Sequence, residues 1–260
     1  MHPANPQFEA ALHIIRTLRA HAHQAYLAGG CVRDLLLGRT PTDYDVTTSA
    51  TPDIVLNLFP RTFAVGAHFG VVLVANPFGK PDAPAEADDP ESPKPNYTKT
   101  EVATFRSDGA YSDGRHPDAV RYTQSPEEDV RRRDFTINGL LLDPLKGTGF
   151  SPYINKANED GALAPEGTVL RAAVIDHVRG LADLQSGLIR AIGNPTHRFE
   201  EDHLRMLRAV RFAARFNFTI EPATLAAIQK LAPKTAAVSR ERVRDELTRM
   251  LTEGHARRAF

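Results

Sequence analysis

The chain has 260 residues, 42% hydrophobic, 25% charged and 7% aromatic, a globular composition that excludes disorder of the whole molecule and, at roughly 100 to 200 residues per domain, suggests two domains. Formal net charge is zero, from 32 basic and 32 acidic side chains, so overall charge argues neither for nor against a polyanionic partner. The single cysteine, Cys31, excludes an internal disulfide and any four-cysteine zinc site and points to a reducing, cytoplasmic setting, while no stretch approaches the roughly 18 apolar residues that span a bilayer.

Phe8, Ala11, Leu12, Ile15 and Leu18 recur at helical spacing, so residues 7–19 are expected to form a packing helix. Tyr26 to Ala28 reads as a short strand, Gly29-Gly30 as a turn, and Val32 to Leu37 as a short helix closed by Gly38. Asp43 to Thr47 alternates like a strand, and Thr51-Pro52 opens a helix through Phe59. Phe63 to Val65, Val71 to Val74 and Glu101 to Phe105 read as further strands of a mixed sheet. Residues 77–96 hold six prolines and five acids with Phe78 as the one sizeable apolar group, a composition that cannot offset its ordering entropy and is expected to be a mobile insertion. After an irregular stretch at Gly147 to Pro165 the pattern turns helical from Arg198. Leu204, Leu207 and Val210 are expected in the core, followed by helices over Ala223 to Leu231 and, after an N-cap at Ser239, Arg242 to Leu251. Residues 197–260 carry 13 Arg or Lys against 8 Asp or Glu.

Asp43 and Asp45, two apart on an extended segment, point to one face and can share a divalent cation. An acidic pair at a strand end is more often simply solvated, but here it follows Gly29, Gly30 and Arg33 within 17 residues. A glycine turn before a helix favours anions, and an arginine one turn in can neutralise phosphate, a combination suited to a nucleoside triphosphate with Mg²⁺. The alternative is an ordinary strand-to-helix turn with a surface arginine. The G-x-x-x-x-G-K-[ST] loop is absent, which excludes the usual P-loop signature. His21 and His23, with no nearby acid or cysteine, are expected on a helix surface, and Cys31 as a small buried hydrophobe.

The segment LAGGCVRDLLLGRTPTDYDV resembles the signature of the DNA polymerase β-type nucleotidyltransferases, specifically the family of class II tRNA nucleotidyltransferases (CCA-adding) and bacterial poly(A) polymerases. The resemblance recurs in EVATFRSDGAYSDGRHPDAVRYTQSPEEDVRRRDFTING, GLADLQSGLIRAIG, EDHLRMLRAVRFAARF and SRERVRDEL, and covers most of residues 25–251. It implies that Asp43 and Asp45 hold two Mg²⁺ ions for an in-line displacement by a 3′-hydroxyl that releases pyrophosphate. Glu101 could add a third carboxylate to the metal or could be an exposed strand acid. Arg133, Asp134 and Asn138 match a ribose and phosphate contact, or alternatively a capped helix start. Asp202 and Arg205, three apart, could be an intrahelical ion pair. They could equally form a protein edge that accepts from the exocyclic amine and donates to the ring nitrogen of cytosine or adenine, admitting CTP and ATP and rejecting UTP and GTP. Arg208 could reach the base or the phosphates. Arg211 has precessed around the helix, and the resemblance alone keeps it as a nucleotide contact.

The expected fold class is therefore α+β: a polymerase β-type nucleotidyltransferase head with a mixed sheet over residues 1–145, an irregular connection at 146–175, and an all-α neck at 176–260 carrying the nucleotide-selecting helix. The resemblance implies that helical body and tail domains, with most of the tRNA affinity, are absent. It implies template-independent addition of CMP and AMP to the 3′ end of tRNA, with no DNA and no membrane as partner. Poly(A) addition and A-only addition are the near alternatives, and a non-catalytic RNA-binding module is the alternative of another class. AVGAHFGVVLV lacks the basic residues of the poly(A) branch, and the long loop from Arg106 to Glu128 looks complete, which disfavours CC-only addition. Gly139, where alanine is usual, His203, where proline is usual, and the acidic insertion depart from the family pattern.

Overall fold

In a computed structural model of the chain, which describes residues 5–64, 69–77, 97–109, 111, 117–146, 171–253 and 255–260, the first element is the expected packing helix. In α1 (Pro6–Ala20), the Asn5 side chain accepts from the Gln7 and Phe8 N–H groups, Pro6 occupies the first turn, and Phe8, Ala11, Leu12, Ile15 and Leu18 are buried together with Ala10 and Ile14. Each large side chain so buried contributes about 1.5–3 kcal/mol.

The chain divides into two compact units, Met1–Phe105 with Leu141–Val174, and Arg106–Leu140 with Ile175–Phe260. This differs from a head running unbroken to residue 145, because residues 106–140 pack with the helical segment. Phe135 bridges to Ala191, the Thr136 N–H donates to the Arg190 carbonyl at 2.9 Å, and Thr136 Oγ1 donates to Asp183 Oδ2 at 2.7 Å. Residues 78–96 of the expected insertion and 147–170 of the expected connection lie outside the described residues.

The first unit is built on a seven-stranded sheet. Its strands are β1 (Ala25–Ala28), β2 (Val46–Thr48), β3 (Thr62–Phe63), β4 (Val71–Pro77) and β5 (Tyr97–Thr104), then β8 (Leu140–Leu142) and β9 (Val174–Asp176), at which the chain crosses between the units. The spatial order is β3-β4-β5-β2-β1-β8-β9. β1 runs antiparallel to β2 and β8, β2 parallel to β5, and β4 antiparallel to β3 and β5, so the sheet is mixed, as expected. Between its strands lie α2 (Gly30–Leu36) and α3 (Pro52–Leu58), the first followed by Gly38 at φ 69° and the second opened by Pro52.

The second unit holds the hairpin of β6 (Arg106–Asp108) and β7 (Val120–Tyr122), α4 (Pro126–Arg131), and a 3₁₀ turn at Thr136–Asn138. Then follow α5 (Gly180–Ser186), β10 (Leu188–Ile189), α6 (Pro195–Glu201), α7 (Leu204–Phe216), β11 (Thr219–Ile220), α8 (Pro222–Leu231), α9 (Arg240–Thr252) and α10 (Ala256–Ala259). The parallel pair β10–β11 adds two residues of strand per side to a region expected to be all helix. Its core is aromatic, with Phe135 edge-on to Phe212 and Phe212 stacked on Phe216, each at 5.9 Å. On α7, Leu204 is buried as expected. Leu207 and Val210 are only half-buried, and Met206, Ala209, Phe212 and Phe216 fill the core instead.

Candidate functional site

The Asp-x-Asp pair is oriented by the residue between its members. Tyr44 is buried, with its ring edge-on to Phe8 at 5.5 Å and its hydroxyl accepting from Asn5 Nδ2 at 3.4 Å. Along Asp43, Tyr44 and Asp45 burial runs exposed, buried, half-buried, the alternation of an extended segment, so anchoring Tyr44 turns both carboxylates to the other side. The Asp45 carbonyl accepts from the Ala28 N–H at 3.0 Å, which fastens the segment to the end of β1. Both acids precede β2 instead of lying in it, because the paired strand starts at Val46.

Val46 pairs in parallel with Val102, and both are buried. The preceding positions, Asp45 and the exposed Glu101, therefore fall on the opposite face of adjacent strands. Among the described residues no three His, Cys, Asp or Glu side chains are grouped so as to hold a metal ion. Glu101 is thus aligned with the pair in register without completing a three-carboxylate cluster. Asp43 and Asp45 remain an all-oxygen donor pair of the kind that hard divalent cations take.

Gly29 has φ 73° and ψ −126°, a conformation that side-chain-bearing residues avoid, and opens α2. Gly30 is not required by space, since an added Cβ would stand 3.5 Å from Arg33 Nη2. Arg33 is 4% exposed and donates through Nε to Asp34 Oδ1 at 2.8 Å, with Nη2 also at 2.8 Å from that oxygen. Its burial beneath the glycine turn sets aside the alternative of a surface arginine. Cys31 is inert, since burial, with the Asp45 charge second, pushes its thiol up to about 12. His21 is exposed at the end of α1, with Nδ1 2.9 Å from the Thr17 carbonyl oxygen.

In the second unit Asp134 is the centre of a network. Oδ1 accepts from the Phe135 N–H at 2.8 Å and from Asn138 Nδ2 at 3.0 Å, and Oδ2 accepts from Arg208 Nε at 2.9 Å and Nη2 at 2.7 Å. Burial alone would raise this carboxyl, but the Arg208 charge and these hydrogen bonds hold it at about 2. The structure thus brings together Asp134, Asn138 and Arg208, predicted separately from two motifs. Arg133 joins them through its chain position; its Nη2 donates to Asp129 Oδ2 at 3.0 Å, and its buried Nε has no hydrogen-bond partner among the described residues. That orphaned donor suits a ligand oxygen. Asp129, fully buried, also takes Arg132 through Nε and Nη2, and the two arginines hold its carboxyl below the usual range against the opposing effect of burial. Its importance was not legible from the sequence.

Asp202 and Arg205 do not share a helix. The chain breaks between α6 and α7 at Asp202, which is extended at φ −151° and ψ 106°. Its Oδ1 accepts from the Leu204 N–H at 3.0 Å and from Arg242 Nη1 at 3.1 Å, and its Oδ2 from Arg242 Nη2 at 2.8 Å. Of four acceptor positions three are filled, and no group among the described residues takes the fourth, on Oδ2. Arg205 commits Nη1 to the Glu201 carboxylate and to the Arg198 carbonyl at 3.0 Å, while Nε and Nη2 have no partner among the described residues. The two side chains thus avoid the ion pair with each other and keep one acceptor position and a set of donors. Arg198 is a structural tie that sequence reasoning missed, donating to the Arg131, Arg132 and Ile192 carbonyls. Arg211, which the resemblance alone kept as a nucleotide contact, is 4% exposed and its Nε donates to Glu246 Oε2 of α9 at 2.6 Å, so here it packs two helices together.

A mixed sheet with an acidic pair at the lead-in to its central strand, continued by a helical unit with a buried Asp-Asn-Arg network, defines an α+β head-and-neck protein. The chain belongs to the Poly A polymerase head domain family, which it matches over residues 25–190, and residues 217–260 match the family described as "Probable RNA and SrmB- binding site of polymerase A". It is 39% identical to a CCA-adding enzyme of Levilactobacillus brevis over 95% of this chain and 51% of the relative, and 37% identical to one of Geobacillus kaustophilus over 95% and 50%. The chain therefore spans about half the length of these relatives. The solved Bacillus stearothermophilus CCA-adding enzyme in complex with CTP matches with a TM-score of 0.73 and 34% identity, over 98% of this chain and 51% of that one. The Thermotoga maritima CCA-adding enzyme complexed with tRNA, at a TM-score of 0.66 and 20% identity over 99% and 50%, shares the fold.

Proposed function

We propose that this chain is the nucleotide-transferring and base-selecting part of a template-independent CCA-adding tRNA nucleotidyltransferase, which takes CMP and AMP from CTP and ATP to the 3′ end of tRNA. The observation that carries the reading is the pair Asp202 and Arg205, which keep an uncommitted acceptor and uncommitted donors at the start of α7. Cytosine and adenine offer an amine beside a ring acceptor and complete that pair, whereas uracil and guanine offer a carbonyl beside a ring N–H and leave it mismatched.

Asp43 and Asp45 would hold Mg²⁺, which when bound activates the attacking 3′-hydroxyl and neutralises the triphosphate. Arg133 and Asn138 would meet the ribose and phosphates. Asp134 and Arg208 hold that segment in place through their ion pair. The reading of residues 1–145 as catalytic head and 176–260 as selecting neck is kept as a functional division, with residues 106–140 contributing to selection. The CCA-adding relatives support tRNA over mRNA as acceptor, and the lone buried thiol supports a cytoplasmic setting. No helix among the described residues is long and apolar enough to cross a membrane.

The test is incubation of the protein with Mg²⁺, tRNA lacking its 3′ end, and each labelled nucleoside triphosphate in turn. Incorporation of CMP and AMP, with UMP and GMP refused, is the expected result. AMP added to any RNA would mean polyadenylation instead, and no incorporation of any nucleotide would leave a non-catalytic RNA-binding module.

A further inference from the structure

We infer that Arg242 is a positioning residue for base selection: from α9 it clamps the Asp202 carboxylate so that a single acceptor position is left to meet the nucleobase. The inference rests on the reading of Asp202 and Arg205 as the base-selecting edge.

An aspartate side chain has two rotatable bonds and four acceptor positions. Left to itself it would follow whatever donor a base offers, the amine of cytosine or adenine or the ring N–H of uracil or guanine, and so would discriminate poorly. Here that freedom is removed from two sides. Arg242 grips both oxygens through its planar fork, Nη1 to Oδ1 at 3.1 Å and Nη2 to Oδ2 at 2.8 Å, and the Leu204 N–H fixes Oδ1 from the first turn of α7 at 3.0 Å. A carboxylate held this way cannot turn to greet a ring N–H. A base that brings a carbonyl to the open position meets an acceptor with an acceptor, and discrimination comes from that mismatch.

Arg242 is not needed to dock α9 on α7. The buried pair Arg211–Glu246 joins those helices, and Met250 is buried on α9 as well. The Arg242 side chain, by contrast, keeps 24% of its surface exposed, and its hydrogen bonds and ion pair among the described residues all go to Asp202. Its position on α9, 40 residues from Asp202, hides the relation from any motif that covers α7 alone.

The experiment is to titrate the purified protein with CTP, UTP, ATP and GTP in Mg²⁺ by calorimetry, for the parent, Arg242→Met and Arg242→Lys, with the unfolding midpoint recorded for each. The parent is expected to bind CTP over UTP, and ATP over GTP, by about tenfold or more. In Arg242→Met both ratios should fall to within about threefold, with affinity for UTP and GTP nearly unchanged or improved. Arg242→Lys, which keeps the charge but loses the fork, should lie between. A role in folding alone would weaken all four nucleotides by one factor and leave the ratios as they were, and that result in a folded variant overturns the inference. If Arg242→Met does not fold, the ratios of Arg242→Lys decide by the same criterion. A parent with no preference among the four bases would overturn the base-edge reading itself, so the two failures are told apart by which protein lacks the ratio.

Discussion

Arg208 places both Nε and Nη2 on one oxygen of Asp134, at 2.9 and 2.7 Å, while the other oxygen of Asp134 takes the Asn138 amide and the Phe135 N–H. A carboxylate so filled is a rigid bracket: it fixes the turn carrying Asn138 to the second turn of α7. Because its folded value lies near 2, below the ordinary 3.8, the stability it contributes is present above the ordinary value and is lost as pH falls toward 2. The contribution is about 2 kcal/mol. Unfolding midpoints of the parent and Asp134→Asn, compared from pH 7 to pH 2, should show the advantage of the parent shrinking between about pH 4 and pH 2. Equal acid losses in both proteins would show that the stabilisation lies elsewhere.

Among the described residues of the second unit, Arg211 and Glu246 form the most enclosed ion pair, with side chains 4% and 5% exposed and Nε 2.6 Å from Oε2. Removing one partner strands the other charge in the interior. Glu246→Leu alone should cost about 3–5 kcal/mol in urea unfolding, and the double variant Arg211→Met with Glu246→Leu should recover most of it. Nucleotide preference should be unchanged in the double variant. A loss of CTP binding without loss of stability would return Arg211 to the ligand contacts that the family resemblance implied.

How far the sequence could be read depended on range. The apolar face of α1, Pro52 opening α3, Gly38 after α2 and Ser239 before α9 are local signals, and each stands where expected. The break at Asp202 was not legible because no proline or glycine marks it; at position 203, where the family usually has a proline that would have stopped a helix, this chain has histidine. The grouping of residues 106–140 with the helical segment rests on contacts such as Thr136 with Asp183, 47 positions apart, for which no local pattern exists. Ion-pair partners were hidden for a related reason: with 32 acids and 32 bases, spacing cannot say that Arg242 chooses Asp202 or that Arg132 and Arg133 choose Asp129. Arg33 shows the same limit, since the pattern left a phosphate contact and a surface arginine both open and could not show that the neighbouring Asp34 pairs with it in the interior.

Gly180 and Gly139 predict a graded pair of effects. A Cβ on Gly180 would come 2.2 Å from the Thr136 carbonyl oxygen, a backbone atom that cannot yield without disturbing the turn carrying Asn138. On Gly139 it would meet side-chain carbons of Val178 at 2.7 Å and of Ile192 and Val130 at 3.1 Å. Flexible side chains give way more cheaply than backbone, so Gly139→Ala should cost about 1 kcal/mol and Gly180→Ala about 3 kcal/mol or more. Chemical denaturation of both variants checks the order. The same contacts account for glycine at 139 where the family pattern has alanine: the methyl's space is already filled here.

Asp45 separates chemistry from stability. Its side chain is half-buried and its main-chain carbonyl carries the tie to β1, while burial of the neighbouring Tyr44 supplies the anchoring. Asp45→Ala leaves both of those in place, so the unfolding midpoint should move by only a few degrees. Divalent-ion stabilisation of a phosphoryl transfer is worth several kcal/mol, and each 1.4 kcal/mol is tenfold in rate, so nucleotide incorporation should fall about a thousandfold or more. Glu101→Gln provides the comparison. Glu101 is exposed on β5 and joins no ready-made ligand group with the aspartates. It should lose activity to the same extent only if bound Mg²⁺ draws it in, and a Mn²⁺ titration followed by electron paramagnetic resonance would count the ions held by each variant. Retention of full incorporation by Asp45→Ala would remove the metal from the acidic pair and, with it, the transferase reading of the sheet.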